Sequence, residues 1–420
     1  MRRAAWGLAL LALLLGCGGE GGEERAALVI SGSAVGAEGE ILARHVRSFR
    51  EANPGIPVVV QSTPDDANQR HQLYVQWLNA RVGTPDVLQL DVVWTPELAA
   101  AGWILPLDRF GPRTEDFFPA ALAADTWRDT LYALPWFMDV GMLYWRTDLM
   151  EAPPASLQEL AAAARRTGGF VWQGARYEGL VTVYMEVLGA FGGSILTADH
   201  RVTVGSPEAV AALVWLRDLI RSGATPREVL TWHEEECRFA FQNGRAAFLR
   251  NWPYAVPLLR GPDSAVAGRF AVAPMPAAAG APGGHPTAAL GGAQLAINAY
   301  SRRADDAYRL IAWLTAPERM LERAQAAGQY PARRSVYRDP RLAEALGVPA
   351  ADVLRIVESA APRPATPLYT QLSEILQIHL HRALSGQTEP GPALQKAARE
   401  MEEVIKRTRI RELEPGAGAQ

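Results

Sequence analysis

The 420-residue sequence has only 2 cysteines, which excludes the disulfide-stapled architectures of small secreted domains. It also lacks charge of one sign. The 42 Lys and Arg nearly balance 45 Asp and Glu, for a net charge of -3, so no basic field exists to grip nucleic acid or an anionic membrane surface. Long apolar runs are missing too: Ala4 to Leu15 spans 12 residues, short of the roughly 20 that cross a bilayer. No Gly-rich phosphate loop ends in Lys-Ser or Lys-Thr, no G-x-G-x-x-G opens a helix, and no G-x-S-x-G elbow is present, which removes nucleotide-handling and α/β-hydrolase motifs. His233-Glu234-Glu235-Glu236-Cys237 matches no zinc spacing and reads as a solvated helix start. His379 and His381, two apart, point away from each other on a helix. No metal and no cofactor is expected.

What is present is a folded chain. With 49% hydrophobic and 21% charged residues it is neither disordered nor collagen-like. A single core stops growing near roughly 250–300 residues, so two lobes are expected. Tryptophan is in surplus, 12 residues against 11 Phe and 11 Tyr. Trp suits sites where a flat apolar face meets a half-polar ligand.

The chain opens with Arg2-Arg3, the apolar run, then Gly16-Cys17 and the polar Gly-rich stretch Gly18 to Arg25. Leu14-Leu15-Gly16-Cys17 resembles a bacterial lipoprotein signal, which implies removal of 1–16, lipidation of Cys17 and a flexible tether over 17–26. Arg2-Arg3 lacks the flanking pattern of a twin-arginine signal. The reading is an extracytoplasmic protein held to the membrane through its N-terminal lipid, with Cys237 as a lone thiol and no disulfide.

Strands are predicted at 27–31, 56–61 and 86–90, alternating with helices at 40–52, 68–82 and 96–101, where apolar residues such as Ile41, Leu42, Val46 and Phe49 share one face. Such alternation predicts parallel α/β units with ligand sites at the carboxyl ends of strands, where Asp91 falls. Further helices are read at 157–166, 207–222, 236–243, 304–314 and 393–406, a strand at 294–298, and a loop over the Ala-, Pro- and Gly-rich 268–286.

Several segments combine acids, arginine and flat aromatics: Gln89-Leu90-Asp91, Trp136-Phe137-Met138-Asp139, Arg250-Asn251-Trp252-Pro253-Tyr254 and Arg363-Pro364. A sugar presents hydroxyls around its rim and a C–H face. Carboxylates accept from neighbouring hydroxyls, arginine donates a rigid fork, and an aromatic ring covers the face. Taken singly, Asp91 reads as a helix cap, Trp252 as core and Arg363 as a surface charge.

Together with Pro85-Asp86-Val87, Gly102-Trp103-Ile104-Leu105-Pro106-Leu107-Asp108, Tyr132-Ala133-Leu134-Pro135, Asp148-Leu149, Trp172 to Leu180, Leu290-Gly291-Gly292, Pro362-Arg363-Pro364 and Leu372-Ser373-Glu374-Ile375, these segments resemble the solute-binding proteins of sugar ABC importers. The Trp-Gln-Gly, Asn-Trp-Pro-Tyr and Arg-Pro segments are most similar to the trehalose/maltose-binding branch. The resemblance implies an α/β fold of two lobes joined by several crossing segments, with a ligand cleft between them. It places 27–137 with 293–343 in the first lobe, 138–292 with 344–410 in the second, and a flexible tail at 411–420. It implies ligand contacts from Glu38, Arg70, Asp91, Phe137, Asp139, Trp252, Tyr254 and Arg363 and from the backbone amides of Gly291 and Gly292. Phe137 stands where relatives often have Tyr, and Ala293 where the nearest relatives place Trp, which opens one subsite.

The implied function is capture of a disaccharide by a monomeric protein and its delivery to a two-subunit permease driven by a cytoplasmic ATPase, without chemistry. Two other readings stay open: a secreted glycoside hydrolase using paired carboxylates of the same cleft, and a surface lipoprotein that only mediates contacts.

Overall fold

The computed structural model describes residues 26–413 except 34, 35, 198, 347 and 349. The expected signal peptide, Cys17, the tether up to residue 25 and residues 414–420 lie outside the described residues.

The first unit forms as the alternation predicts. Strands Leu28–Gly32, Val58–Ser62 and Val87–Asp91 pair in parallel, separated by helices Gly36–Ala52 and Ala67–Asn79. Asp66 caps the second helix, its side chain accepting from Gln69 N, which satisfies one of the free amides of the first turn. The sheet then turns mixed. Strand Ala288–Ile297 lies antiparallel to Val87–Asp91 on one edge and to Ala133–Val140 on the other, while its first residues pair in parallel with Ala360–Ala361. Leu28, Ile30, Val58 and Val87 are buried against Leu42, Val46 and Phe49. On another side, Tyr74, Leu78, Leu90, Trp94, Leu98 and Ile104 make a smaller cluster.

The second sheet has the order Phe270–Ala273, Met142–Arg146, Phe248–Asn251, Phe170–Val171. Helix Glu234–Gln242 packs on Phe248–Asn251, while helices Glu178–Ala190, Pro207–Arg221, Tyr369–Leu384 and Pro390–Leu413 pack on one another and the first of them on Ala288–Ile297. Only Gly141 separates Ala133–Val140 of the first sheet from Met142–Arg146 of the second. That connection, the strand Ala288–Ile297 and the segment at 360–364 pass between the two α/β lobes.

The reading of 268–286 as loop is corrected: Phe270–Ala273 is a strand antiparallel to Met142–Arg146, and its ladder bonds come from backbone groups that side-chain composition does not reveal. The strand expected at 294–298 starts earlier, at Ala288. The last helix runs Pro390–Leu413, past 406 and into the stretch expected as a tail. No described helix is long and apolar enough to cross a membrane.

Candidate functional site

The carboxyl end of Val87–Asp91 meets the second lobe through one arginine. Arg363 is 6% exposed. It donates from Nη2 to Asp91 Oδ1 at 2.8 Å and from Nη1 to Glu178 Oε1 at 2.7 Å, so its fork links a strand end of the first sheet to a helix start of the second lobe. Glu178 also accepts from Tyr369 OH at 2.6 Å and from Ser373 Oγ. As the first residue of Glu178–Ala190 it lies where the helix dipole favours negative charge. Burial works against the charge on Arg363, yet Asp91, the Tyr369 oxygen and Glu178 outweigh it and hold the guanidinium above its ordinary pKa. Asp91 does cap locally, accepting from Val93 N at 3.3 Å, but that bond shares Oδ1 with the inter-lobe one. Arg363 is no surface charge.

Trp252 and Tyr254 follow the strand Phe248–Asn251. Trp252 Nε1 donates to Glu234 Oε1 at 3.3 Å and Tyr254 OH to Glu235 Oε1 at 2.8 Å, both acids opening helix Glu234–Gln242. The half-buried Trp252 ring covers Gly291, where an added Cβ would come 3.2 Å from the ring. Behind it, Arg250 stacks 3.9 Å from the Trp252 centroid. Arg250 is fully buried, donating from Nε to Glu186 Oε2 at 2.9 Å and from Nη1 to Gln173 Oε1 at 3.2 Å. It belongs to the support of the aromatic platform. Gln173 returns a bond to the Arg250 carbonyl at 3.0 Å, which gives the Trp172-Gln173-Gly174 segment its structural meaning.

Asp139 and Gly291 sit opposite each other in the crossing ladder, as do Met138 and Gly292. Gly292 has φ +115 and its missing Cβ makes room for the Met138 backbone, so no other residue suits that position. Asp139 is half-buried, but its Oδ1 is sealed without a partner. Burial pushes the Asp139 pKa up to about 8, helped by the nearby Glu38 and Asp91 charges and opposed by Arg323 and Arg250. Glu38 is raised by burial as well, with Arg323 and Arg70 opposing. Arg70 donates from Nη1 to Pro64 O at 2.9 Å and Asp65 O at 3.2 Å and lies over the Trp94 ring at 5.3 Å. Phe137 is only 5% exposed, its ring 4.7 Å from the Arg323 guanidinium, so it faces a cation more than open space. Ala293 is buried between Asp91 and Phe137 in the ladder.

The lobes also touch at the rim. His233 approaches Asp66 at 4.0 Å, Asn68 donates to Gln377 at 3.2 Å and Thr370 to Glu97 at 2.7 Å. A cavity of ≈ 570 Å³ is lined by Val92, Pro96, Met185, Leu196 and Pro362, with Arg363 in its wall. Among the described residues no group of His, Cys, Asp and Glu could hold a metal ion. His379 Nε2 bonds Glu400 at 3.0 Å and His381 Nε2 the Leu230 carbonyl at 3.0 Å. Cys237 is a buried free thiol.

Sequence reasoning missed Glu178, Glu186, Arg323 and Gln329 as members of this region, the last donating from Nε2 to Glu38 Oε1 at 2.8 Å. Glu178 stood inside the segment Trp172 to Leu180. The others carry no local signal, since long-range packing brings them to the site.

Two α/β lobes joined by crossing strands and bridged by one arginine are the architecture of a class of hinged solute receptors. The chain belongs to the bacterial extracellular solute-binding proteins, whose family model matches residues 45–350. A relative from Deinococcus radiodurans, described as a probable ABC transporter-binding protein, is 36% identical over 362 residues, covering 81% of this chain and 84% of its own. Among solved structures, the maltose-bound MalE3 of T. maritima is 39% identical with a TM-score of 0.84, over 90% of this chain and 99% of that one. An ABC transporter solute-binding protein from Thermotoga lettingae bound to α-D-tagatose is 28% identical with a TM-score of 0.80, over 90% and 99%.

Proposed function

We propose that this chain is the receptor of a sugar ABC importer, capturing a disaccharide with an α-linked glucose by closure of its lobes and handing it to a two-subunit permease driven by a cytoplasmic ATPase. The observation that carries this reading is the Asp91–Arg363–Glu178 chain of bonds, which joins the lobes; Trp252, Tyr254 and Asp139 are the further groups this reading assigns to the ligand. Groups from both lobes reach one ligand only in the closed form, so a bridging ligand shifts the hinge equilibrium by its differential affinity for that form. The likeness to a maltose-bound protein at 39% identity supports a glucoside. The absence of a large ring at Ala293 supports a wider subsite than a trehalose- or maltose-selective wall would leave.

In this reading the first lobe comprises 27–137 with 293–343 and the second 138–292 with 344–410. The protein acts as a monomer, anchored outside the cytoplasm through lipid on Cys17. The test is a thermal-shift and calorimetric panel of trehalose, maltose, sucrose and palatinose on the mature chain. A ligand that binds only the native state stabilises it by about 2.7 kcal/mol at a hundred times its Kd. Saturable binding of at least one sugar, recovered unchanged, supports the receptor, and no binding by any of them overturns it.

A hydrolytic reading has one observation in its favour, the raised pKa of Asp139, a property of general acids. Of the other carboxylates, Asp91 and Glu178 are paired with Arg363 and Glu186 with Arg250, while Glu38 accepts from Gln329 Nε2 and is in no ion pair among the described residues. Steady release of glucose from a bound disaccharide would establish hydrolysis and remove the receptor reading.

A further inference from the structure

The start of helix Ala67–Asn79 meets the second lobe. Asn68 donates from Nδ2 to Gln377 Oε1 at 3.2 Å, and the Asp66 carboxylate divides between two tasks. Its Oδ1 accepts from Gln69 N at 2.8 Å and caps its own helix, while its Oδ2 stands 4.0 Å from His233 Nε2. In the lobe division proposed above, Asp66 and Asn68 belong to the first lobe and His233 and Gln377 to the second, so both contacts cross the gap that opening widens. None of the four is among the residues assigned to the ligand.

His233 is held from its own side. Its backbone N donates to Glu236 Oε2 at 2.9 Å, and its ring lies 4.3 Å from the Tyr177 ring, tilted by 47°. Tyr177 precedes Glu178, which anchors Arg363, so the imidazole rests on the segment that carries the inter-lobe bridge. The side chain of His233 is 46% exposed and that of Asp66 23%, which leaves the ring open to protons from solvent and keeps the strength of any ion pair modest.

Histidine is the side chain whose ordinary charge change falls between about pH 5 and 8. At 4.0 Å a neutral imidazole is beyond hydrogen-bonding reach of the carboxylate, whereas an imidazolium is attracted to it. The pair exists where the lobes stand together, so that arrangement binds the proton more tightly than an opened one, and protonation in turn favours closure. We propose that Asp66 and His233 form a proton-sensitive latch between the lobes, which raises sugar affinity as the medium acidifies. This rests on the sugar-receptor reading and adds a control on its closure.

The other charged and titratable groups around His233 sort by lobe. Glu234, Glu235 and Glu236 follow it in its own helix, Glu235 being paired with Arg238, and Tyr177 packs on the ring. These stay with His233 however the lobes stand, so they act on its charge without coupling it to closure. From the first lobe come Asp66, its neighbour Asp65, and Arg70, whose Nη1 is turned to the Pro64 and Asp65 carbonyls. The other histidine of this helix, His71, bonds Glu97 Oε2 at 3.0 Å inside the first lobe.

The experiment is calorimetry of the mature chain with maltose and trehalose between about pH 5 and 8, on the native chain, His233→Gln, Asp66→Asn and the double variant. Asparagine caps a helix as well as aspartate does, so Asp66→Asn removes the charge and keeps the cap. His71 and Asp139 are common to all four chains, and their own titrations cancel in the comparison. At the acid end the native affinity is expected to exceed that of either variant by about twofold to fivefold, the scale of a partly exposed ion pair, and at the alkaline end the difference closes. The double variant matches the single ones, because either substitution already breaks the pair. Variants with native affinity at both ends overturn the latch and leave the receptor reading intact. Loss of the pH effect in His233→Gln but not in Asp66→Asn also overturns it, since the proton then acts through Glu234 and Glu235 on the aromatic platform. If no sugar of the panel binds, the receptor reading fails and small-angle scattering of the sugar-free chain judges the latch. The native mean radius should then fall on acidification relative to that of His233→Gln, and equal changes overturn it.

Discussion

Arg250 shows how a residue's chemistry and its role separate. By type it belongs with sugar-binding groups, yet it and Glu186 are both fully buried as a pair, with the Trp252 ring stacked on the guanidinium. Removing one partner leaves an uncompensated buried charge, a loss of about 3–5 kcal/mol. Arg250→Met is expected to destabilise by that amount in urea titration. Arg250→Met combined with Glu186→Leu should regain most of it, less about 1 kcal/mol for the Ala289 amide that donates to Glu186. A double variant no more stable than Arg250→Met would contradict the charge argument. Asp139 predicts a pH effect. Its carboxyl stays protonated in the folded chain up to about pH 8, whereas in the unfolded chain it ionises near its ordinary value of about 3.9. Between these limits the folded state binds more protons, so this group makes stability fall as pH rises. His45, held by burial at a pKa of about 3, acts in the opposite sense below its unfolded value of about 6.5. The native chain minus Asp139→Asn isolates the aspartate. The stability difference between pH 5 and about 8, measured without sugar, should shrink in Asp139→Asn.

At the scale of elements, what the sequence made legible follows from how each element is buried. Gly36–Ala52 and Ala304–Leu314 each bury one face, and their period of 3.6 stands out in the sequence. Glu178–Ala190 is buried on every side from Gly179 to Ala190, so it has no polar face and no detectable period, and the helix carrying Glu178 went unrecognised. The short strand Phe270–Ala273 was missed because its neighbours supply its definition. Helix Glu234–Gln242 links local structure to the cleft. Its start is fixed by Glu236 Oε2 accepting from His233 N at 2.9 Å, and the same first turn offers Glu234 and Glu235 to Trp252 and Tyr254. Glu236→Ala should cost about 1 kcal/mol as other lost caps do. By loosening the aromatic platform it should also weaken sugar binding several-fold. An affinity equal to that of the native chain would show that the platform does not depend on the helix start.

For the molecule as a whole, Arg363 is the point where the two lobes share a charge. It bonds Asp91 in the first sheet and Glu178 in the second lobe, and it also lines the cavity of ≈ 570 Å³. The partners were only half legible beforehand: Asp91 and Arg363 stood out by type and position, whereas Glu178 is recruited by Tyr369, Ser373 and Arg363 from segments almost two hundred residues away in sequence. Because Arg363 and Glu178 belong to the same proposed lobe and Asp91 to the other, it is the Asp91–Arg363 bond that crosses between the lobes and that an opened arrangement need not keep. Asp91→Asn keeps the shape but loses the charge, and a hydrogen bond between charged groups is worth about 1.5–3 kcal/mol. The closed population therefore falls by the matching factor, and sugar affinity falls with it by about tenfold to a hundredfold, since each 1.4 kcal/mol is about tenfold. Small-angle scattering should show a larger mean radius for sugar-free Asp91→Asn than for the native chain, and saturation with sugar should bring the two together. Equal radii with reduced affinity would make Asp91 a ligand contact and not a hinge latch, and equal affinity would remove it from both roles.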